Sequence, residues 1–183
     1  LVIIAGVIYG GYTGFRHEGP AAVRYPRDRG PGVTIRESME ALPIGRSRIL
    51  RKGSGTALLA FGSMVQPCRA VAERLDATLI DMRFVKPLDS DAILEAAANH
   101  ERLVTIEENA IAGGAGSGVN ELLASEGVSV PVLNIGIPDR YVQHGTRSEC
   151  LQLAGLDEKG ISGRVEAFVG SEPSSTIRQN AVS

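Results

Sequence analysis

From about residue 49 onward, short apolar runs alternate with amphipathic stretches, the pattern of strands and helices in turn. Residues 56–61 predict a first strand, and Gly62-Ser63 the turn that ends it. Val65, Cys68, Val71, Ala72 and Leu75 recur at helical spacing and predict a helix over 65–75. A second strand is expected at 77–82, followed by a helix to Asn99 that Asp89 or Ser90 is placed to cap. Ile93, Leu94 and Ala97 form the apolar stripe of that helix. Strands at 103–106 and 130–135 flank a glycine-rich loop and a helix to Ala124. Thr146 or Ser148 is placed to cap a short helix to Leu153, and a last helix covers 158–169. Apolar, β-branched strands alternating with helices predict an α/β fold, a three-layer and mainly parallel sheet with helices on both faces.

The first 48 residues are patterned differently. Gly6, Gly10, Gly11 and Gly14 are expected to break any regular helix. Residues 21–25, between Pro20 and Pro26, predict a short strand closed by proline. Residues 31–48, with Pro31, Pro43 and little periodicity, predict a linker. The polar stretch 171–183, containing Pro173, predicts a disordered tail. The apolar run 1–8 is far shorter than the roughly 20 residues that cross a bilayer. It also lacks the cationic start of a signal peptide, since no Lys or Arg precedes Arg16. It reads as the buried end of something longer, so residues 1–30 are expected to be a truncated tail and 49–170 one complete domain.

Composition narrows the chemistry. The 183 residues carry 19 Lys and Arg against 21 Asp and Glu, a net charge of −2. That balance gives no long-range attraction to nucleic acid or to an anionic membrane, so any phosphate site must be built from a few placed cations. Cys68 and Cys150 have no CxxC spacing and no histidine close by, and read as ordinary thiols of a reducing cytosol. His17, His100 and His144 show no metal spacing. His100, at a helix exit, reads as structural, while His144 is placed to line a cleft.

The loop Gly113–Gly118 sits between a strand and a helix, where helix N–H groups can hold a phosphate. Its spacing fits neither G-x-G-x-x-G nor a P-loop, and a tight turn that brings the helix close to the sheet is the favoured reading. Glu107 and Glu108 are adjacent on a strand and face opposite ways, which suits solvated or helix-capping carboxylates better than an acid/base pair. Arg24 is mounted between prolines, and its fork suits a phosphate or an acidic neighbour equally well. Arg83 has a similar position at a strand end, but Asp81 and Asp89 are close in sequence and favour an ion pair.

Several of these stretches occur together in one order. They are Pro20-Ala-Ala-Val-Arg-Tyr-Pro-Arg27, Leu42-Pro-Ile-Gly45, Asp81-Met-Arg-Phe-Val-Lys-Pro-Leu-Asp89, Glu107-Glu-Asn-Ala-Ile111, Gly113-Gly-Ala-Gly-Ser117 and Val132-Leu-Asn-Ile-Gly-Ile-Pro-Asp139. In this combination the chain resembles the 1-deoxy-D-xylulose-5-phosphate synthase family over about residues 12–170. The resemblance implies a cytoplasmic, homodimeric, thiamine-diphosphate- and magnesium-dependent transferase. It joins pyruvate, with loss of carbon dioxide, to D-glyceraldehyde 3-phosphate, and its product feeds isoprenoid, thiamine and pyridoxal synthesis.

On this resemblance, residues 1–30 are the tail of the pyrimidine-binding domain and 49–170 are a transketolase C-terminal domain. The resemblance also gives Arg24 the phosphate of the aldehyde acceptor. The family's Gly-Asp-Gly motif, pyrimidine-side glutamate and catalytic histidines are not in this sequence. No catalytic, cofactor or metal residue is therefore expected here, and the chain alone is expected to be inactive. Residues 1–11 and the polar tail depart from the family pattern. A stand-alone interaction or regulatory domain, and the β-type subunit of a 2-oxoacid dehydrogenase, are the alternatives.

Overall fold

The strands β2 (Thr56–Ala60) and β3 (Thr78–Asp81) are buried at every position, which requires a sheet covered on both faces. In the computed structural model, which describes residues 2–26 and 39–171 and side chains from residue 8, these two strands are the centre of a five-stranded sheet. Strands β1 (Arg48–Arg51), β4 (Arg102–Ala110) and β5 (Val132–Ile137) complete it in the order β1-β3-β2-β4-β5. Only β1 runs antiparallel to its neighbour.

Alternate residues of each strand feed two cores. Leu58, Ala60, Val104 and Ile106 face α2 (Val65–Arg74) and α6 (Glu158–Gly170). Ala57, Leu59 and Leu103 face α3 (Ser90–Asn99) and α4 (Ala115–Ser125). This is the expected three-layer α/β arrangement. Asp89 caps α3 by accepting from the Ala92 N–H, and Thr146 caps α5 (Arg147–Leu153) in a capping box with Glu149.

Four differences from the sequence reading have physical causes. Helix α1 (Val2–Arg16) runs unbroken through its glycines. Gly10 and Gly14 share one face at i, i+4, and the following segment folds back onto it. A Cβ at Gly14 would stand 3.1 Å from Ala21 Cβ, and one at Gly10 would stand 3.6 Å from Val23 Cγ1. That packing offsets the roughly 1 kcal/mol that each glycine costs a helix. Second, residues 21–25 are not a strand. They lie against α1 and have no partner strand among the described residues, and a strand needs a partner.

Third, β1 begins at Arg48, the last residue of the expected linker, and precedes the expected first strand; its two arginines hide an edge strand that pairs with β3. Fourth, β4 continues past 106 to Ala110 and so carries Glu107 and Glu108 on the strand itself. Leu1, residues 27–38 at the join of the expected N-terminal tail and linker, and residues 172–183 of the expected disordered tail lie outside the described residues.

The glycine-rich loop acts as the favoured reading has it. A Cβ at Gly116 would come within 2.5 Å of both Thr105 Oγ1 and Asn134 Nδ2, which are themselves hydrogen-bonded across β4 and β5. Gly116→Ala should therefore destabilise the chain by about 1–3 kcal/mol in urea unfolding. Gly163→Ala, on an exposed turn of α6 with open space around it, should instead stabilise by up to about 1 kcal/mol. Equal effects from the two would contradict this packing.

Candidate functional site

The chain leaves β2 toward α2 on one face of the sheet and leaves β4 toward α4 on the other. Between β2 and β4, which are neighbours, lies a topological switch point, the place where α/β sheets open a crevice beyond the carboxyl ends of their strands. Four polar side chains meet there. Ser63 comes from the 3-10 turn Gly62–Met64 after β2, and Glu108 from the end of β4. Arg147 is the first residue of α5, and Arg24 arrives from the arm that follows α1.

The carboxylate of Glu108 is the hub. Arg147 forks onto it, Nε donating to Oε1 at 2.9 Å and Nη2 to Oε2 at 2.6 Å. The Ser63 hydroxyl donates to the same Oε2. Arg24 uses a different atom of Glu108: its Nη2 donates to the backbone carbonyl at 2.8 Å. Its Nε and Nη1 have no hydrogen-bond partner among the described residues. Burial pushes the Glu108 carboxyl up. The hydrogen bonds from Arg147 and Ser63 and the charges of Arg147 and Arg24 outweigh it and hold the group below its ordinary range. Beside the clamp lies a cavity of about 100 Å³ whose walls are mostly apolar, including Ile137, Val142, Leu151 and Ala154.

Glu107 serves the opposite face. Its carboxylate is buried and accepts from the N–H groups of Ala115 and Gly116, both at 2.8 Å. The helix N-terminus that could have held a phosphate is thus occupied by a side chain of the protein itself. The two glutamates face apart as the strand alternation predicts, and one of them is a helix cap.

The other sequence candidates lie apart from this cluster. Arg83 has a left-handed backbone, φ 57°, and its Nε stands 3.9 Å from Asp81 Oδ2. Burial raises the Asp81 carboxyl even though Arg83 and Arg48 pull against it. Asp89 turns instead to Arg46 and the Ser47 N–H. His100 donates from Nδ1 to the Ala96 carbonyl, and its Nε2 sits 2.7 Å from Thr78 Oγ1, which makes it a structural link. His17 and His144 are exposed. Cys68 is buried, its thiol pushed up to about 12, and neither cysteine is in a disulfide. Among the described residues there is no group of three or more His, Cys, Asp or Glu placed to hold a metal. Nor is any described helix long and apolar enough to cross a membrane.

With the site in place, comparison with known proteins gives it a family. Residues 45–161 match the transketolase C-terminal domain. The chain belongs to that family. This transketolase C-terminal domain is similar to 1-deoxy-D-xylulose-5-phosphate synthases. It is 56% identical over 158 residues to that of Methylococcus capsulatus, covering 86% of this chain and 25% of the relative. It is 60% identical over 153 residues to that of Chromohalobacter salexigens, covering 82% and 23%. The chain thus spans about a quarter of the length of the curated relatives it matches.

Among solved structures it resembles a split gene transketolase described as an inactive β4 tetramer. The TM-score is 0.73 at 28% identity, covering 84% of this chain and 50% of that one. Likeness to the Campylobacter jejuni transketolase, with TM-score 0.51 and 13% identity over 67% of this chain and 18% of that one, concerns the fold alone.

Arg147 and Ser63 were not singled out from sequence. A signal for Arg147 exists: a cation in the first turn of a helix opposes the helix dipole, so Arg147 directly after its cap calls for an acidic partner from elsewhere. In the transketolase C-terminal domain described here that partner is Glu108. Its native pKa lies below the unfolded one, so the clamp's contribution is full above about pH 4.3 and is lost as pH falls through the native value. A carbon-detected NMR titration of Glu108 should give a midpoint below the ordinary glutamate value, and Arg147→Met should move it upward. An unmoved midpoint would mean that the fork does not form in solution.

Proposed function

We propose that this chain is the C-terminal part of a 1-deoxy-D-xylulose-5-phosphate synthase. In the complete enzyme, acting as a cytoplasmic homodimer, it holds the phosphate of D-glyceraldehyde 3-phosphate through Arg24. The reading rests on one observation. In the stretch Ala-Val-Arg24-Tyr-Pro, the guanidinium is hung by a single nitrogen on the Glu108 carbonyl, and two other nitrogens point to no described partner. An arginine so mounted can offer a planar fork to a phosphate at little further cost in side-chain order.

Joining pyruvate to the aldehyde is thiamine chemistry. The described residues offer no metal set, and the sequence has no Gly-Asp-Gly, so the residues present do not fit thiamine diphosphate and magnesium. This chain's part is therefore binding and orientation. The phosphate takes no part in the reaction, and its binding energy serves to fix the aldehyde carbon in position.

Arg24→Ala in the full-length synthase should lower kcat/KM for D-glyceraldehyde 3-phosphate by roughly ten- to a hundredfold, the worth of a charge-assisted hydrogen bond. The KM for pyruvate, which has no phosphate, should stay close to that of the parent. Arg24→Lys should recover only part of the loss. Steady-state kinetics with each substrate varied separately decides this. An equal loss with a non-phosphorylated aldehyde would make Arg24 a structural residue.

The isolated chain should neither turn over substrate nor bind thiamine diphosphate. Calorimetry with the cofactor and magnesium is the check, and micromolar binding would overturn it.

A further inference from the structure

Ala21 and Val23 seat the arm on α1, but no described contact of the arm itself holds the end of the Arg24 side chain. Residues 20–26 have no helix or strand geometry, and Val23 and Tyr25 on either side are exposed. The single described hydrogen bond of the guanidinium goes to the Glu108 carbonyl. The position of that one oxygen therefore decides where the rest of the fork lies.

The carbonyl itself sits where β4 is least regular. The pairing of β4 with β5 shifts between Ile106 and Ala110, so the ladder does not hold the peptide at Glu108 as it holds Leu103 to Ile106. Side chains hold it instead. On one face Glu107 is tied to the first N–H groups of α4. On the other, Glu108 is tied by Arg147 and Ser63.

We propose that Glu108 and Arg147 are positioning residues for Arg24. The clamp on the Glu108 side chain fixes the carbonyl that aims Arg24, and through it places the acceptor's phosphate. Arg147 opens α5 directly behind the loop 138–146, so this arrangement also ties that loop to the phosphate position. The inference rests on the phosphate role of Arg24 proposed above.

The decisive variant is Glu108→Gln in the full-length synthase. It removes a negative charge next to the phosphate. If Glu108 acted only through its field, acceptor binding would tighten. Positioning requires the reverse, because an amide cannot take the Arg147 fork as a carboxylate does. The kcat/KM for D-glyceraldehyde 3-phosphate should fall by roughly three- to tenfold, carried by KM, with the KM for pyruvate unchanged. Arg147→Lys keeps the charge and loses the fork, and should show a loss of the same order.

Neither change should lower acceptor kcat/KM further when combined with Arg24→Ala, because both act through that residue. Tighter acceptor binding in Glu108→Gln, losses additive with Arg24→Ala, or equal losses for both substrates with a lowered melting temperature would each overturn the proposal. If Arg24→Ala alone left the acceptor unaffected, the phosphate reading would fall and this inference with it. A strong effect of Arg24→Ala beside parent-like Glu108→Gln and Arg147→Lys would remove only the inference.

Discussion

The end of β4 has to be held against leaving the sheet, and two adjacent carboxylates hold it from opposite faces. Strand alternation sends Glu107 to the N-terminus of α4 and Glu108 to α5 and the turn after β2. Each meets positive charge or N–H groups that are themselves buried or half-buried. The consequence is architectural. The switch point of an α/β sheet is usually open to a ligand, but here both polar features that could attract one, a helix N-terminus and an arginine fork, are satisfied from within the chain. Among the described residues, what remains available at the crevice is Arg24, whose one described hydrogen bond to the cluster goes to a backbone oxygen.

That division bears on the proposed role: a domain lacking a metal set among its described residues can still orient a substrate. The sheet and its two cores build a rigid platform in which β2 and β3 are buried throughout. The platform presents one carbonyl, and an arm from outside the sheet brings a cation to it. The arm is attached at two further points. The Thr13 hydroxyl accepts from the Leu42 N–H at 2.8 Å, and α1 packs on the Gly62–Met64 turn that also supplies Ser63. The turn therefore serves both the clamp and the seat of α1.

The strands and helices of the domain were legible because their signals are local. Period-two and period-3.6 patterns, Asp89 and Thr146 at caps, and the glycine loop all act within a few residues. Helix α1 was not legible, since its glycines argue against a helix until Ala21 and Val23 fold back onto them. Edge strand β1 escaped for a related reason: four residues with an arginine at each end carry no apolar period, and only pairing with β3 defines it. At the site, Arg24 stood out by its proline mount, yet its partner lies 84 residues away and is a backbone atom, which no side-chain pattern announces.

Arg147 shows what longer-range reasoning would need. Its place in the first turn of α5 is electrostatically unfavourable on its own. The capping box of Thr146 and Glu149 already supplies the turn's N–H groups with acceptors, so the helix start does not require an arginine there. The residue finds its described acidic partner once β4 is extended by four residues beyond its apolar run, which carries Glu108 up to meet it. A polar side chain that contradicts its local element thus marks a contact made in three dimensions. Here that contact fixes the peptide on which the proposed phosphate-binding arginine hangs.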